Sequence, residues 1–250
     1  MGVGSGDDSG ASEQPIARDD RRGRIRLGGS LAEAARVDLE RGPGFDERLQ
    51  KRLVQLGCSR DLRRHAYDYV IGSVHVYEDS PFHASRVASW TTGRPLAEIV
   101  APYFDEVLDA IRSGLFDTIG HLDFVKRYLM PHVTPAQLAG APELYEPLLT
   151  ALIETGTALE VNTSGLRQAA GETYPAAPIV ELYRVRGGTR VVAGSDAHRK
   201  GSFTAGLEAG YGVVAAAGFG ILAFRRGGSR VDVALPDRFL ARGGVDGAHT

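Results

Sequence analysis

The chain has 250 residues, 43% of them hydrophobic and 24% charged, with a formal net charge of −2. That length can bury a substantial core in one large domain, and the near-neutral charge excludes a general nucleic-acid or membrane-surface binder. The single cysteine, Cys58, excludes an intrachain disulfide framework and a thiolate metal cluster. The longest apolar run, 213–224, is too short and too broken by glycine to span a bilayer, and the N-terminus has no signal-peptide pattern. The expected location is the cytoplasm.

Residues 1 to about 23 are rich in Gly, Ser and Asp, and residues 1–30 are expected to be disordered or foreign to the main domain. Residues 24–27 (RIRL) could be a short strand, and 31–41 a helix or an irregular segment. Phe45, Leu49, Leu53 and Leu56 recur at helical spacing. From there the pattern becomes regular. DYVIGSVH (68–75) reads as a buried strand, and 96–113 as an amphipathic helix with the stripe Leu96, Val100, Tyr103, Val107 and Ile111, stopped by Gly114. FDTIGHLD (116–123) is the next strand. Thr134–Pro135 starts a helix, with Thr as cap and Pro in the first turn, that runs to about Thr155 before Gly156. A strand at 157–165, a helix around 176–186, a strand at 189–198, a helix around 203–217 and a strand at 220–227 complete the alternation. Residues 241–250 read as a disordered tail.

Strands alternating with helices predict an α/β fold with a mostly parallel sheet, its main domain spanning 31–240. Polar residues stand at the strand ends: His75, then His121 and Asp123, then Asn162, then Asp196 and His198. In (β/α) barrels that rim carries the active site. Imidazole and carboxylate donors without cysteine suit Zn, Mn or Fe in a catalytic role. On an extended chain Asp196 and His198 point the same way. Lys126 and Arg127 follow one strand end and Arg167 another, where they could grip a phosphate. Other uses of these residues remain open, since His75 and His121 could be core histidines and Asp196 a helix cap. Asp123 could orient a ligand histidine.

DYVIGSVH, SGLFDTIGHLDFVKRY, ALEVNTSGLR, the Tyr174–Pro175 pair and GSDAH together resemble the histidinol-phosphatase branch of the PHP (polymerase and histidinol phosphatase) superfamily, over roughly residues 43–225. The resemblance implies a TIM-like, seven-stranded (β/α) PHP barrel with up to three divalent metal ions. It also implies hydrolysis of a small phosphorylated substrate, L-histidinol phosphate, to L-histidinol and phosphate in histidine biosynthesis. His75, His121, Asp196 and His198 correspond to metal ligands, and Asp196 and His198 to the catalytic SDAH end of the centre. Arg167 corresponds to the phosphate-holding residue, with Arg127 or Lys126 as helpers.

Family members open on an H-x-H strand and carry a glutamate ligand ahead of a Pro-Gly pair. No H-x-H occurs in this sequence, and aligning from Pro43–Gly44 puts Asp38 at the glutamate's position. The barrel is therefore expected to be about two strand–helix units short at its front, with fewer ions bound than in a complete member. A start site placed too late, or a decayed or repurposed copy, would each produce this pattern. The competing expectations are a non-catalytic PHP-like protein and a PHP hydrolase of another phosphoester.

Overall fold

A computed structural model describes residues 67–76 and 80–240 in full, together with the backbone of two earlier strands. Those strands are β1 (Arg26–Gly29) and β2 (Ala35–Arg41). β3 (Val70–Val76), α1 (Val87–Thr91), α2 (Leu96–Arg112), β4 (Thr118–Ile119), α3 (Lys126–Leu129), α4 (Pro135–Ala139) and α5 (Glu146–Thr155) follow. Next come β5 (Ala158–Asn162), α6 (Ala177–Val185), β6 (Val191–Gly194), α7 (Leu207–Ala216), β7 (Ile221–Arg226), β8 (Ser229–Ala234) and α8 (Asp237–Leu240).

Strands β1 to β6 form one sheet in chain order. β1 is antiparallel to β2, and every pairing from β2 through β6 is parallel. Parallel neighbours need a crossover, and helices supply those from β3 onward. The α/β expectation holds. One consequence governs the site: the C-terminal ends of β3, β4, β5 and β6 lie along the same edge.

The core explains the helices. α2 buries Ile99, Val100, Tyr103, Phe104, Val107, Ala110 and Ile111 against α5 and β3. Each of the Ile, Val and Phe side chains stabilises the fold by about 1.5–3 kcal/mol. All five residues of β5 are buried, as a central parallel strand requires. At Gly72 an added Cβ would stand 2.5 Å from the Phe116 ring, so only glycine lets Phe116 cover β3.

Several expected elements change. Residues 35–41 form a strand rather than a helix or irregular segment, because Val37 and Leu39 alternate with Arg36, Asp38 and Glu40. This strand pairs along its whole length with β3, from Ala35 opposite Val70 to Arg41 opposite Val76. Two strands therefore precede β3, where the sequence suggested one. The helix expected from 134 to about 155 is broken into α4, a 3-10 turn at Pro142–Leu144 and α5. Gly140 and Pro142 cause the break, since Pro cannot donate inside a helix. Residues 220–227 do not add to the parallel sheet; they form an antiparallel hairpin with β8. The glycines of its tight turn, Gly227 and Gly228, both have positive φ. The helix expected at 45–56, the tail and, apart from β1, the segment 1–30 expected to be disordered or foreign lie outside the described residues.

Candidate functional site

The edge formed by the ends of β3 to β6 gathers most of the candidate residues. His75 is the penultimate residue of β3, and His121 lies two residues past β4. Their rings meet edge to face with centroids 5.0 Å apart. Phe124 holds the pair in place, stacked on His121 at 4.3 Å and edge-on to His75 at 5.5 Å. Asp196 and His198 follow β6 on the same edge.

Backbone strain marks two of these positions. His121 has φ +30° and Asp196 has φ +49°, both in the left-handed region that L-residues avoid. Such conformations cost on the order of 1–3 kcal/mol and persist where surrounding structure imposes them, which is common at functional sites. The two strained residues are the ones that the sequence singled out at the ends of β4 and β6.

Glu160 links them, and the sequence reading did not single it out. Its Oε2 accepts the backbone N–H of His121 at 2.8 Å and Asn162 Nδ2–H at 2.9 Å. A Cβ at Gly194 would lie 2.2 Å from Glu160 Oε1, and one at Gly120 would lie 3.2 Å from Oε2. The glycines preceding His121 and Ser195–Asp196 thus make room for one carboxylate between β4 and β6. The signal was present as an acid in the middle of a fully buried strand, which demands a partner for its charge. Asn162 in turn caps the 3-10 turn Thr163–Arg167, its Oδ1 accepting the Ser164 N–H at 2.9 Å.

That turn delivers Arg167. Its guanidinium donates to Ser195 O at 2.7 Å and to Ala205 O at 3.2 Å, beside Asp196. The fork is fixed by two carbonyls and remains exposed, as a phosphate ligand needs. Arg127 is exposed too, with its guanidinium 5.6 Å from the centre of the Phe124 ring that packs on the histidine pair.

Lys126 differs from the phosphate-helper expectation. Its side chain is 1% exposed, and Nζ donates to Asp123 Oδ2 at 2.9 Å, Glu172 Oε1 at 2.6 Å and Thr173 O at 3.2 Å. Its donors are engaged in the interior. Asp123 likewise turns from the histidines to Lys126 and to the Tyr145 hydroxyl, which donates at 2.8 Å. Burial pushes the Asp123 carboxyl up from its usual range, against the pull of Lys126. The pair ties α3 to the segment before Tyr174, so its place is structural. Asp38 lies on β2 opposite Ser73 in register, and its side chain is outside the described residues.

The donors match imidazole and carboxylate metal chemistry, but they come as two pairs. His198 points outward with 76% of its side chain exposed and its Nδ1 3.1 Å from Asp196 O, while the Asp196 side chain is 7% exposed. Among the described residues no three His, Cys, Asp or Glu side chains close on one ion position. Among the described residues the His75–His121 pair and the Asp196–His198 pair do not close on a single ion position, and His198 is turned to solvent.

Comparison with known proteins gives likenesses in sequence and in fold. Residues 50–164 match the PHP domain. The chain is 38% identical over 135 residues to the probable histidinol-phosphatase of Deinococcus radiodurans, covering 54% of this chain and 49% of that protein. It is 30% identical over 142 residues to the probable histidinol-phosphatase of Thermotoga maritima, covering 57% and 53%. The chain thus spans about half the length of the curated relatives it matches. In structure it is similar to the histidinol phosphate phosphatase of Lactococcus lactis, solved with Zn, L-histidinol and phosphate, with a TM-score of 0.56 and 23% identity. That match covers 77% of this chain and 70% of the other. The putative histidinol phosphatase of Listeria monocytogenes gives a TM-score of 0.53 at 20% identity, covering 69% and 66%. The resemblance read from the motifs is to the same PHP relatives.

Proposed function

We propose that this protein is a metal-dependent phosphomonoesterase that hydrolyses L-histidinol phosphate to L-histidinol and phosphate in histidine biosynthesis. The reading includes a cytoplasmic location and a TIM-like PHP barrel over residues 31–240, of which β2 to β6 form the parallel part. One observation carries it: the His75–His121 pair and the Arg167 fork beside Asp196 occupy the same edge of the sheet. Zn is the metal named for a structural relative, and Mn or Fe suit the same donors. His75, His121 and Asp196 would hold metal, with His198 joining after rotation of its exposed side chain and Asp38 contributing from β2. A divalent ion so bound supplies hydroxide near neutral pH and offsets phosphate charge. Arg167 holds the phosphate oxygens through the N–H groups its carbonyl partners leave free. Arg127 adds a second, exposed positive charge.

A non-catalytic reading has its own support, in that no three described ligands close on one position. Phosphate release from L-histidinol phosphate by the purified chain, supplied with Zn or Mn, separates the two. Release that vanishes with chelator and in Arg167→Ala supports the hydrolase. Binding of L-histidinol phosphate without release under every metal condition supports the binding module. Release from other phosphomonoesters alone assigns a different substrate.

A further inference from the structure

A polar cavity lies at the other end of the sheet, where β4, β5 and β6 begin. It has a volume of about 300 Å³ and is lined in part by Asp117, Thr157, Arg190, Arg225 and Arg230. This is at the small end of the range for ligand cavities, about 300–1,000 Å³. Its charge balance is uneven, with three guanidinium groups and one carboxylate.

That carboxylate is already engaged. Asp117 Oδ1 accepts from Arg225 Nη1 at 2.9 Å, and Oδ2 accepts the Val70 N–H at 2.9 Å. Arg225 is further fixed by donation from Nε to Gly228 O at 3.2 Å. The hairpin tip is pinned where Gly227 N–H donates to Asp68 Oδ1 at 2.6 Å. Arg190 donates one N–H to Gly156 O. Arg230 makes no ion pair among the described residues, although a carboxylate partner is what an arginine this near two others would ordinarily find.

Gly156 shows how closely two of these groups approach. A Cβ built there would lie 3.4 Å from Arg230 Nη2 and 3.9 Å from Arg190 Nη1. Gly156 has φ +67°, so it is the residue type suited to that turn, and its missing side chain leaves the space between the guanidiniums open. Burial and the neighbouring Arg230 both pull the Arg190 pKa down from its usual value. Two guanidiniums that repel each other across an open cavity are stabilised by an anion placed between them.

We propose that this cavity binds a small phosphorylated anion, at a site separate from the proposed hydrolase centre and independent of that assignment. Arg190 and Arg230 grip the phosphate oxygens, and Arg225 sets the rim. The β7–β8 hairpin would be held more firmly against the starts of β4 and β5 when the site is filled.

The test is calorimetric titration of inorganic pyrophosphate into the full chain, in buffer without added divalent metal. Wild type is compared with Arg230→Gln, Arg167→Gln and Arg199→Gln. Arg230 is exposed and makes no ion pair among the described residues, and its loss relieves repulsion with Arg190, so the unliganded melting temperature should not fall. The expected result is at least tenfold weaker binding in Arg230→Gln, a smaller loss in Arg167→Gln, and Arg199→Gln like wild type. Equal binding in wild type and Arg230→Gln overturns the proposal. So does an equal, small weakening in all three variants, which would reflect net charge alone. Loss of binding only in Arg167→Gln would place the anion at the opposite end and overturn it as well.

Discussion

Glu160 Oε2 accepts the backbone N–H of His121, at 2.8 Å, from the middle of a strand in which every residue is buried. This bond fixes a histidine whose own backbone is strained at φ +30°. The carboxylate is a positioning group, acting through His121 and through Asn162, which holds the turn that carries Arg167.

Two variants separate positioning from direct ligation. Glu160→Gln keeps an acceptor oxygen of the same reach, whereas Glu160→Ala leaves two buried donors unsatisfied, at about 1–3 kcal/mol each. Glu160→Ala should lower phosphatase activity by roughly tenfold to a hundredfold, as is typical when groups supporting a metal ligand are removed. Glu160→Gln should stay within about tenfold of wild type. Steady-state rates taken well below the melting temperature provide the comparison. If both variants lose activity equally, the negative charge itself is required and the positioning role is wrong.

Much of the edge that carries the site was legible because strand ends in a parallel sheet all face one way. His75, His121, Asp196 and Arg167 could be placed there from their positions after apolar runs. What the sequence concealed was direction. Lys126 and Arg127 are neighbours with identical formal charge, yet one is buried against Asp123 and the other is exposed over Phe124. Their fate depends on Glu172, 46 residues further on, which no local pattern connects to them. The same holds for β2. Its period-two alternation competes with good helix formers, and pairing with β3 decides the outcome. The role of Glu160 is not local, because it depends on Gly120 just past β4 and Gly194 at the end of β6.

Lys126→Met tests the structural assignment of that lysine. Removing one partner of a buried ion pair leaves Asp123 to stay charged without compensation or to take up a proton, at a cost of up to about 3–5 kcal/mol. Chemical denaturation should show a loss of that order, while KM for the phosphorylated substrate stays unchanged in the protein that remains folded at low temperature. The double variant Lys126→Met with Asp123→Leu should recover part of the stability, since no orphan charge is left. An unchanged denaturation midpoint with a raised KM would return Lys126 to the phosphate site.

Arg167→Lys keeps the charge and loses the fork. A lysine ammonium cannot span Ser195 O and Ala205 O while also presenting two parallel N–H groups to a phosphate. Losing a hydrogen bond to a charged group costs about 1.5–3 kcal/mol, so KM should rise roughly tenfold to a hundredfold. Arg127→Gln should have a smaller effect, because that side chain is solvated. Michaelis parameters for both variants check the ranking, and a larger loss from Arg127 would reverse the assigned roles.

Metal dependence is the last prediction, and it rests on the His75–His121 contact. Two imidazoles 5.0 Å apart between ring centres are close enough to share an ion after small side-chain rotations. Protein stripped with chelator should be inactive and should recover on adding Zn or Mn. Zinc titration should show weaker binding, or one ion fewer, in the double variant His75→Ala with His121→Ala. His198→Ala should reduce metal affinity less, because its ring is now turned to solvent and contributes only after rotation. Atomic absorption on dialysed samples gives the stoichiometry for each variant. Equal metal content in wild type and the double histidine variant would show that the pair at the ends of β3 and β4 is a packed core contact, and the proposed centre would have to be moved.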